Sequence, residues 1–124
     1  MPYLFVALGG AGGAMLRYLI QSILNNRWSH IPAGTFLANS IGCFIAGLAI
    51  PLLPTLHPHL RTAFIAGFLG SLTTLSALHL EIFQAFDKGK ITHAIFHWAG
   101  GAVIGLILCI LGNTITQMIK SLNS

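Results

Sequence analysis

The chain has 124 residues, 55% of them hydrophobic and only 6% charged, with six basic and two acidic side chains. A soluble domain carries roughly 25% charged residues, so composition excludes an ordinary soluble fold and points to an all-α membrane protein embedded in a lipid bilayer. The net charge of +4 is spread thinly; without a basic patch, no nucleic acid is expected as a partner.

Residues 28–60 and 91–119 contain no Asp, Glu, Lys or Arg. A bilayer core about 30 Å thick needs roughly 20 apolar helical residues, and both stretches suffice. The pattern predicts one transmembrane domain over 1–124, with four helices at about 3–24, 32–53, 60–86 and 92–119. The first segment runs apolar from its start without a basic leader, so it is expected to be a membrane helix rather than a cleaved signal. Asn25, Asn26 and Arg27 end it. Pro51 and Pro54 mark the end of the second, because proline breaks the helical ladder. Asp87-Lys88-Gly89-Lys90 forms the polar turn before the fourth. Cys43 and Cys109 lie inside apolar runs and read as helix-packing residues.

Lys and Arg counts on the two sides set orientation. Four crossings place Arg61 and Lys120 on one side and Arg27, Lys88 and Lys90 on the other. This is close to no bias. Two readings follow: one weakly preferred topology, or dual topology with oppositely inserted copies paired antiparallel.

Polar groups at membrane depth are costly and mark function. In the first segment, Gly9, Gly10, Gly12 and Gly13 allow close helix approach, and Arg17 follows. Arg17 either snorkels to the interface or draws anions toward a vestibule. In the second, Thr35 and Asn39 are four apart and share a face. Asn39 either bonds a neighbouring helix or offers its two amide donors to an anion. In the third, Gly67, Gly70, Ser71, Thr73, Thr74 and Ser76 crowd the centre. They predict a helix break, whose exposed carbonyls suit a cation, or a kink with hydroxyl back-bonding. His93 and His97 are spaced i, i+4 on the fourth segment, but no carboxylate or cysteine accompanies them at that depth. No nucleophile–base constellation or phosphate loop occurs, so no enzyme is expected.

Taken in order, GGxxGAxxRY from Gly9, GTxxxNxxG from Gly34 and GFxGxxTT-S from Gly67 resemble the CrcB/Fluc fluoride channels, over nearly the whole chain. The resemblance implies an antiparallel dual-topology homodimer in the bacterial inner membrane, with two fluoride pores and a central structural Na⁺. It implies passive export of toxic fluoride, aided by acid-driven accumulation of F⁻ in the cell. By position, Asn39 matches the pore asparagine and Thr35 its hydroxyl neighbour. Gly70 and Thr73 match the residues whose carbonyls hold Na⁺. Arg17 matches a vestibule arginine, Ser76 the hydroxyl after the TT pair, and Glu81 the acidic residue near the end of the third segment.

The chain departs from the family in the pore. Where the family reads TTFSTF, this chain reads Thr73-Thr74-Leu75-Ser76-Ala77-Leu78, so Leu75 and Leu78 replace two phenylalanines. Positive ring edges can meet F⁻; leucine has none. His97 and Gly101 align with the family's pore tyrosine and serine. Three functions stay open: a fluoride channel with an altered lining, a weakly conducting subunit that pairs with a paralogous one, and another small dual-topology transporter. A multidrug antiporter would need a carboxylate in the first segment, and none occurs there.

Overall fold

The computed structural model describes residues 2–27 and 33–123, and every regular element among them is helical. Helix α1 is Pro2–Arg27 and α2 is Ala33–Ala49. A short 3₁₀ turn, Leu53–Thr55, leads to α3, Pro58–Thr62. The chain continues through a π-helical stretch, Ala63–Leu69, into α4, Gly70–Leu72. Helices α5, Leu75–Asp87, and α6, Ile91–Leu122, complete it. Among the described residues, three stretches are long and apolar enough to cross a membrane: Pro2–Leu24, Pro58–Asp87 and Ile91–Leu122. The 17 residues of α2 are apolar but shorter, about 25 Å at 1.5 Å per residue.

Helix α2 stops at Ala49, short of the expected end at residue 53; its expected start at residue 32 lies outside the described residues. Pro51 has no N–H to give the Gly47 carbonyl and disfavours helical geometry in the residue before it. The end of α6 brings donors to two other carbonyls at this terminus. Thr116 Oγ1 donates to the Leu48 carbonyl at 2.9 Å, and Lys120 Nζ to that of Pro51 at 2.7 Å. A lysine on the last carbonyls of a helix also complements the negative end of its dipole. Pro58 opens α3 two residues before the expected start, and the His57 side chain accepts from the His59 N–H. Between α5 and α6, Gly89 takes φ of 72°. Its N–H reaches the Phe86 carbonyl and that of Lys90 the Ala85 carbonyl, the paired closure of a Schellman turn.

Two seams hold the protomer together. Helix α2 lies along α6, and α1 along the π-helical stretch and α4. In both, glycine lets backbones touch. A Cβ at Gly9 or Gly13 of α1 would land on the Ala63 or Phe68 carbonyl, and one at Gly47 on the carbonyl of Cys109. Gly112 faces Gly47 across the same seam, against the Phe44 carbonyl and Leu48 N. Membrane helices associate through such close contact, because lipid removes the hydrophobic drive between them.

Among the described residues, the buried hydrophobic side chains are Ala38, Leu72 and Ala94, whereas Leu4, Leu8, Met15, Leu19, Ile107 and Leu111 are among many exposed. The apolar surface faces outward, as a lipid-facing protein requires. The Gly47–Gly112 seam makes a direct prediction. Gly112→Ala is expected to destabilise the protein by about 1–3 kcal/mol through overpacking, read as a lower melting temperature in detergent. Gly100→Ala, whose Cβ meets nothing within 4 Å, should melt like the parent.

Candidate functional site

The centre of the third apolar stretch is not continuous helix. Helix α4 ends at Leu72, Thr73 is extended at φ −86°, ψ 142°, and so is Thr74 at φ −144°, ψ 117°. Helix α5 starts at Leu75 with Thr74 as its N-cap. Asn39 of α2 grips the extended peptide from both sides: its Oδ1 accepts from Thr74 N–H at 2.8 Å, and its Nδ2 donates to the Thr74 carbonyl at 3.3 Å. The amide thus supplies the partner that the Thr74 N–H lacks and adds a donor to the carbonyl that opens α5.

That exchange diverts two helical donors. In a continuous helix, Thr74 N–H would bond the Gly70 carbonyl and Ala77 N–H that of Thr73. Here Thr74 N–H goes to Asn39, and Ala77 N–H to Thr74 Oγ1 at 3.4 Å. The Gly70 and Thr73 carbonyls therefore lose their i+4 donors. Thr73 Oγ1 back-bonds to the Leu69 carbonyl at 2.9 Å. A Cβ at Gly42 would strike the Thr73 methyl group, so α2 bears directly on the interruption.

A second polar unit crosses α1, α2, α5 and α6. Gln21 Nε2 donates to Thr35 Oγ1 at 3.0 Å, Thr35 Oγ1 donates to Glu81 Oε1, and His97 Nε2 lies 3.2 Å from Glu81 Oε2. Thr35 is fully buried, and the His97 and Glu81 side chains are mostly so. The His97 ring is tilted against Phe36, centroids 6.0 Å apart. A carboxylate only accepts, so Thr35 and His97 both serve Glu81, one to each oxygen.

The two units meet at a groove of about 400 Å³ lined by Arg17, Tyr18, Gln21, Thr74, Ser76 and the apolar Ala77 and Leu80. Ser76 Oγ is 3.2 Å from Thr74 Oγ1. Arg17 brings the positive charge, Ser76 and Thr74 the hydroxyls, and Gln21 links the groove to Thr35. Leu75 is exposed at the start of α5, Leu78 is half-buried one turn on, and Gly70 is exposed. His93 is exposed one turn before His97.

Of the residues singled out from sequence, Arg17 and Ser76 share the groove, and Thr35, Glu81 and His97 share one hydrogen-bonded chain. Asn39 holds the interruption that includes Thr73. Sequence reasoning missed Gln21 and the role of Thr74. Gln21 stands four residues after Arg17, on the same helical face, and is a polar side chain in an apolar segment; that was the available signal. The clamp predicts that Asn39→Leu costs about 1–3 kcal/mol by leaving the Thr74 N–H unpaired. Asn39→Asp keeps the acceptor but not the donor, and should fall between. Thermal melts in detergent with amide exchange at Thr74 measure both; unchanged exchange in Asn39→Leu would remove the clamp from the account.

Comparison with known proteins places this geometry in a lineage. A family model described as "CrcB-like protein, Camphor Resistance (CrcB)" matches residues 4–113. The chain is 41% identical over 116 residues to the "Fluoride-specific ion channel FluC 2" of Staphylococcus saprophyticus, covering 90% of this chain and 93% of that protein. It is 40% identical over 115 residues to a "Fluoride-specific ion channel FluC 1" of Staphylococcus aureus, with the same coverage. To the "Fluoride-specific ion channel FluC" of Acidobacterium capsulatum it is 36% identical over 123 residues, 96% of this chain and 98% of that one. A match across most of the chain, joined to three long apolar helices, makes this multi-pass membrane protein a member of the CrcB family.

Proposed function

We propose that the chain is the subunit of a fluoride channel in the bacterial inner membrane, exporting F⁻ passively and thereby reducing its toxicity. The observation that carries this reading is the end-to-end similarity to relatives named fluoride-specific ion channels. The groove supports it. F⁻ holds its water tightly, so a path must offer donors as it strips that water. Arg17 attracts the anion to the mouth, and Thr74 and Ser76 offer hydroxyls within the groove. Asn39 has two amide N–H groups and commits one to the Thr74 carbonyl, so the other is the donor for the ion. The Thr35 hydroxyl serves the path when F⁻ competes with Glu81 for its proton.

In the proposed assembly, two copies cross antiparallel at their Thr73–Thr74 interruptions, within the single four-helix domain each contributes. The exposed apolar surface and the near-balanced Lys/Arg distribution support this arrangement. The carbonyls of Gly70 and Thr73, relieved of their helical donors, fit a hard cation that takes oxygen ligands. From both copies they would hold a central Na⁺, which when bound ties the subunits at that point. Backbone ligation makes Thr73 important for its extended conformation rather than its hydroxyl.

Leu75 and Leu78 favour one second reading, in which this subunit conducts weakly and pairs with a paralogous one. Neither side chain offers an anion a polar edge, so the barrier rises, by a factor of ten in rate for about each 1.4 kcal/mol. Fluoride-electrode efflux from liposomes containing this chain alone tests the function. Slow efflux is expected, and Leu75→Phe with Leu78→Phe, if needed with His97→Tyr, should raise it several-fold. Absence of efflux from the lone chain, with recovery on co-reconstitution with a paralogue, establishes the second reading. Rapid efflux that the double variant leaves unchanged shows the phenylalanines dispensable here.

Antiparallel pairing predicts that single cysteines placed near residue 2 and near residue 122, in a background without Cys43 and Cys109, react with impermeant thiol reagents from both sides of the membrane. A strictly one-sided pattern for every copy would sink dual topology.

A further inference from the structure

The His97–Glu81 pair bears a charge that a proton can cancel, and it is linked to the groove through Thr35 and Gln21. With Glu81 ionised, His97 must present Nε2–H to Oε2, because the carboxylate has no hydrogen to give. The other carboxylate oxygen is taken by the Thr35 hydroxyl, whose own oxygen is taken by Gln21. Nε2 is committed, so an added proton enters at Nδ1. The proton comes from water on the acid side and no other bond changes. The pair then passes from a net charge of −1 to neutral.

Resting on the channel reading, we propose that His97 and Glu81 form a proton-binding element that sets the charge beside the anion path, so that one proton on His97 speeds fluoride passage. The neighbouring elements bring few competing groups. Helix α1 contributes Arg17 and Tyr18, which line the groove through which Gln21 connects to Thr35. Helix α2 presents the uncharged Thr35 and the Phe36 ring; its one titratable side chain, Cys43, lies against Gly105, two turns beyond His97 on α6. On α5, His79 is exposed and bonds the Leu75 carbonyl of its own helix, and Asp87 is exposed at the far end. On α6, His93 is exposed one turn before His97. None of these is bonded to the pair. Protonation also strengthens His97's hold on Glu81, because a hydrogen bond between two charged groups is the stronger kind. The Glu81 carboxylate, better satisfied by imidazolium, then competes less for the Thr35 proton. Charge and donor availability therefore move in the same direction as pH falls.

The experiment is fluoride efflux from liposomes at pH 5.5 and 7.5, spanning the range in which imidazole ordinarily changes charge, with protein-free liposomes subtracted. The parent chain should pass fluoride roughly tenfold faster at pH 5.5, the order expected when a unit charge beside a partly wet path is neutralised. His97→Gln keeps a donor for Glu81 but cannot take the proton, and should abolish the ratio. His79→Gln with His93→Gln should keep it. A parent rate independent of pH, or a ratio that survives His97→Gln, overturns the proposal. If the lone chain passes no fluoride at either pH, the channel reading of the homodimer fails separately. The pair is then judged by nitrogen-15 resonances of the His97 ring in bilayers. Adding fluoride at fixed pH must shift the ring resonances toward the doubly protonated form if proton and anion are coupled, and resonances unmoved by fluoride overturn the proposal.

Discussion

The grip of Asn39 on the Thr74 peptide is the interaction on which the rest of the site depends. An extended pair inside an apolar span leaves backbone N–H and C=O groups without helical partners, and lipid offers none. The Asn39 amide matches a peptide in chemistry, with one acceptor and donors on the same plane, so it closes both groups at once. Three consequences follow. The Gly70 and Thr73 carbonyls are freed of their i+4 donors. The Thr74 side chain is released to cap α5. That helix restarts with Ser76 and Ala77 in its first turn, against the groove. A single side chain on α2 thus determines where backbone oxygen is available and which side chains face the proposed path.

The Glu81 junction does for the side chains what Asn39 does for the backbone. It joins α1, α2, α5 and α6 through a fully buried hydroxyl. A charged group at membrane depth is tolerated when it is paired and hydrogen-bonded, and Glu81 has a donor on each oxygen. The same donors suit an anion. In the proposed function the carboxylate therefore stands in for the ion it competes with, and the balance between them depends on the proton held by His97.

The charge-free stretch 91–119 made the long α6 legible in sequence, because a length that spans a bilayer follows from its thickness. The end of α2 was less legible. Pro54 and Pro51 both signal a stop, and the sequence alone does not say that Lys120 and Thr116, some 70 residues away, complete the earlier one. The motif residues Thr35, Asn39, Glu81 and His97 were all visible as polar groups in apolar surroundings. Their partners were not. Each pair is set by the crossing of two helices, and one-dimensional spacing reports only faces within a helix. Asn39 shows the distinction: its residue type allowed a helix-bonding role or an anion-binding one, and the geometry engages part of the amide in the first while leaving a donor for the second.

The small interior explains why these polar links matter to the whole fold. With Ala38, Leu72 and Ala94 the only buried hydrophobic side chains among the described residues, the chain has little hydrophobic core. Lipid is as apolar as leucine, so burying more leucine would add little drive between helices. What specifies the arrangement is contact that lipid cannot imitate: glycine-to-backbone approach at Gly13 and Gly47, and hydrogen bonds at Asn39, Thr35, Glu81 and Thr116. Substitutions on the outward face, such as those at Leu75, can therefore accumulate without unfolding the chain. The polar contacts cannot drift in the same way, since each leaves an unpaired partner behind.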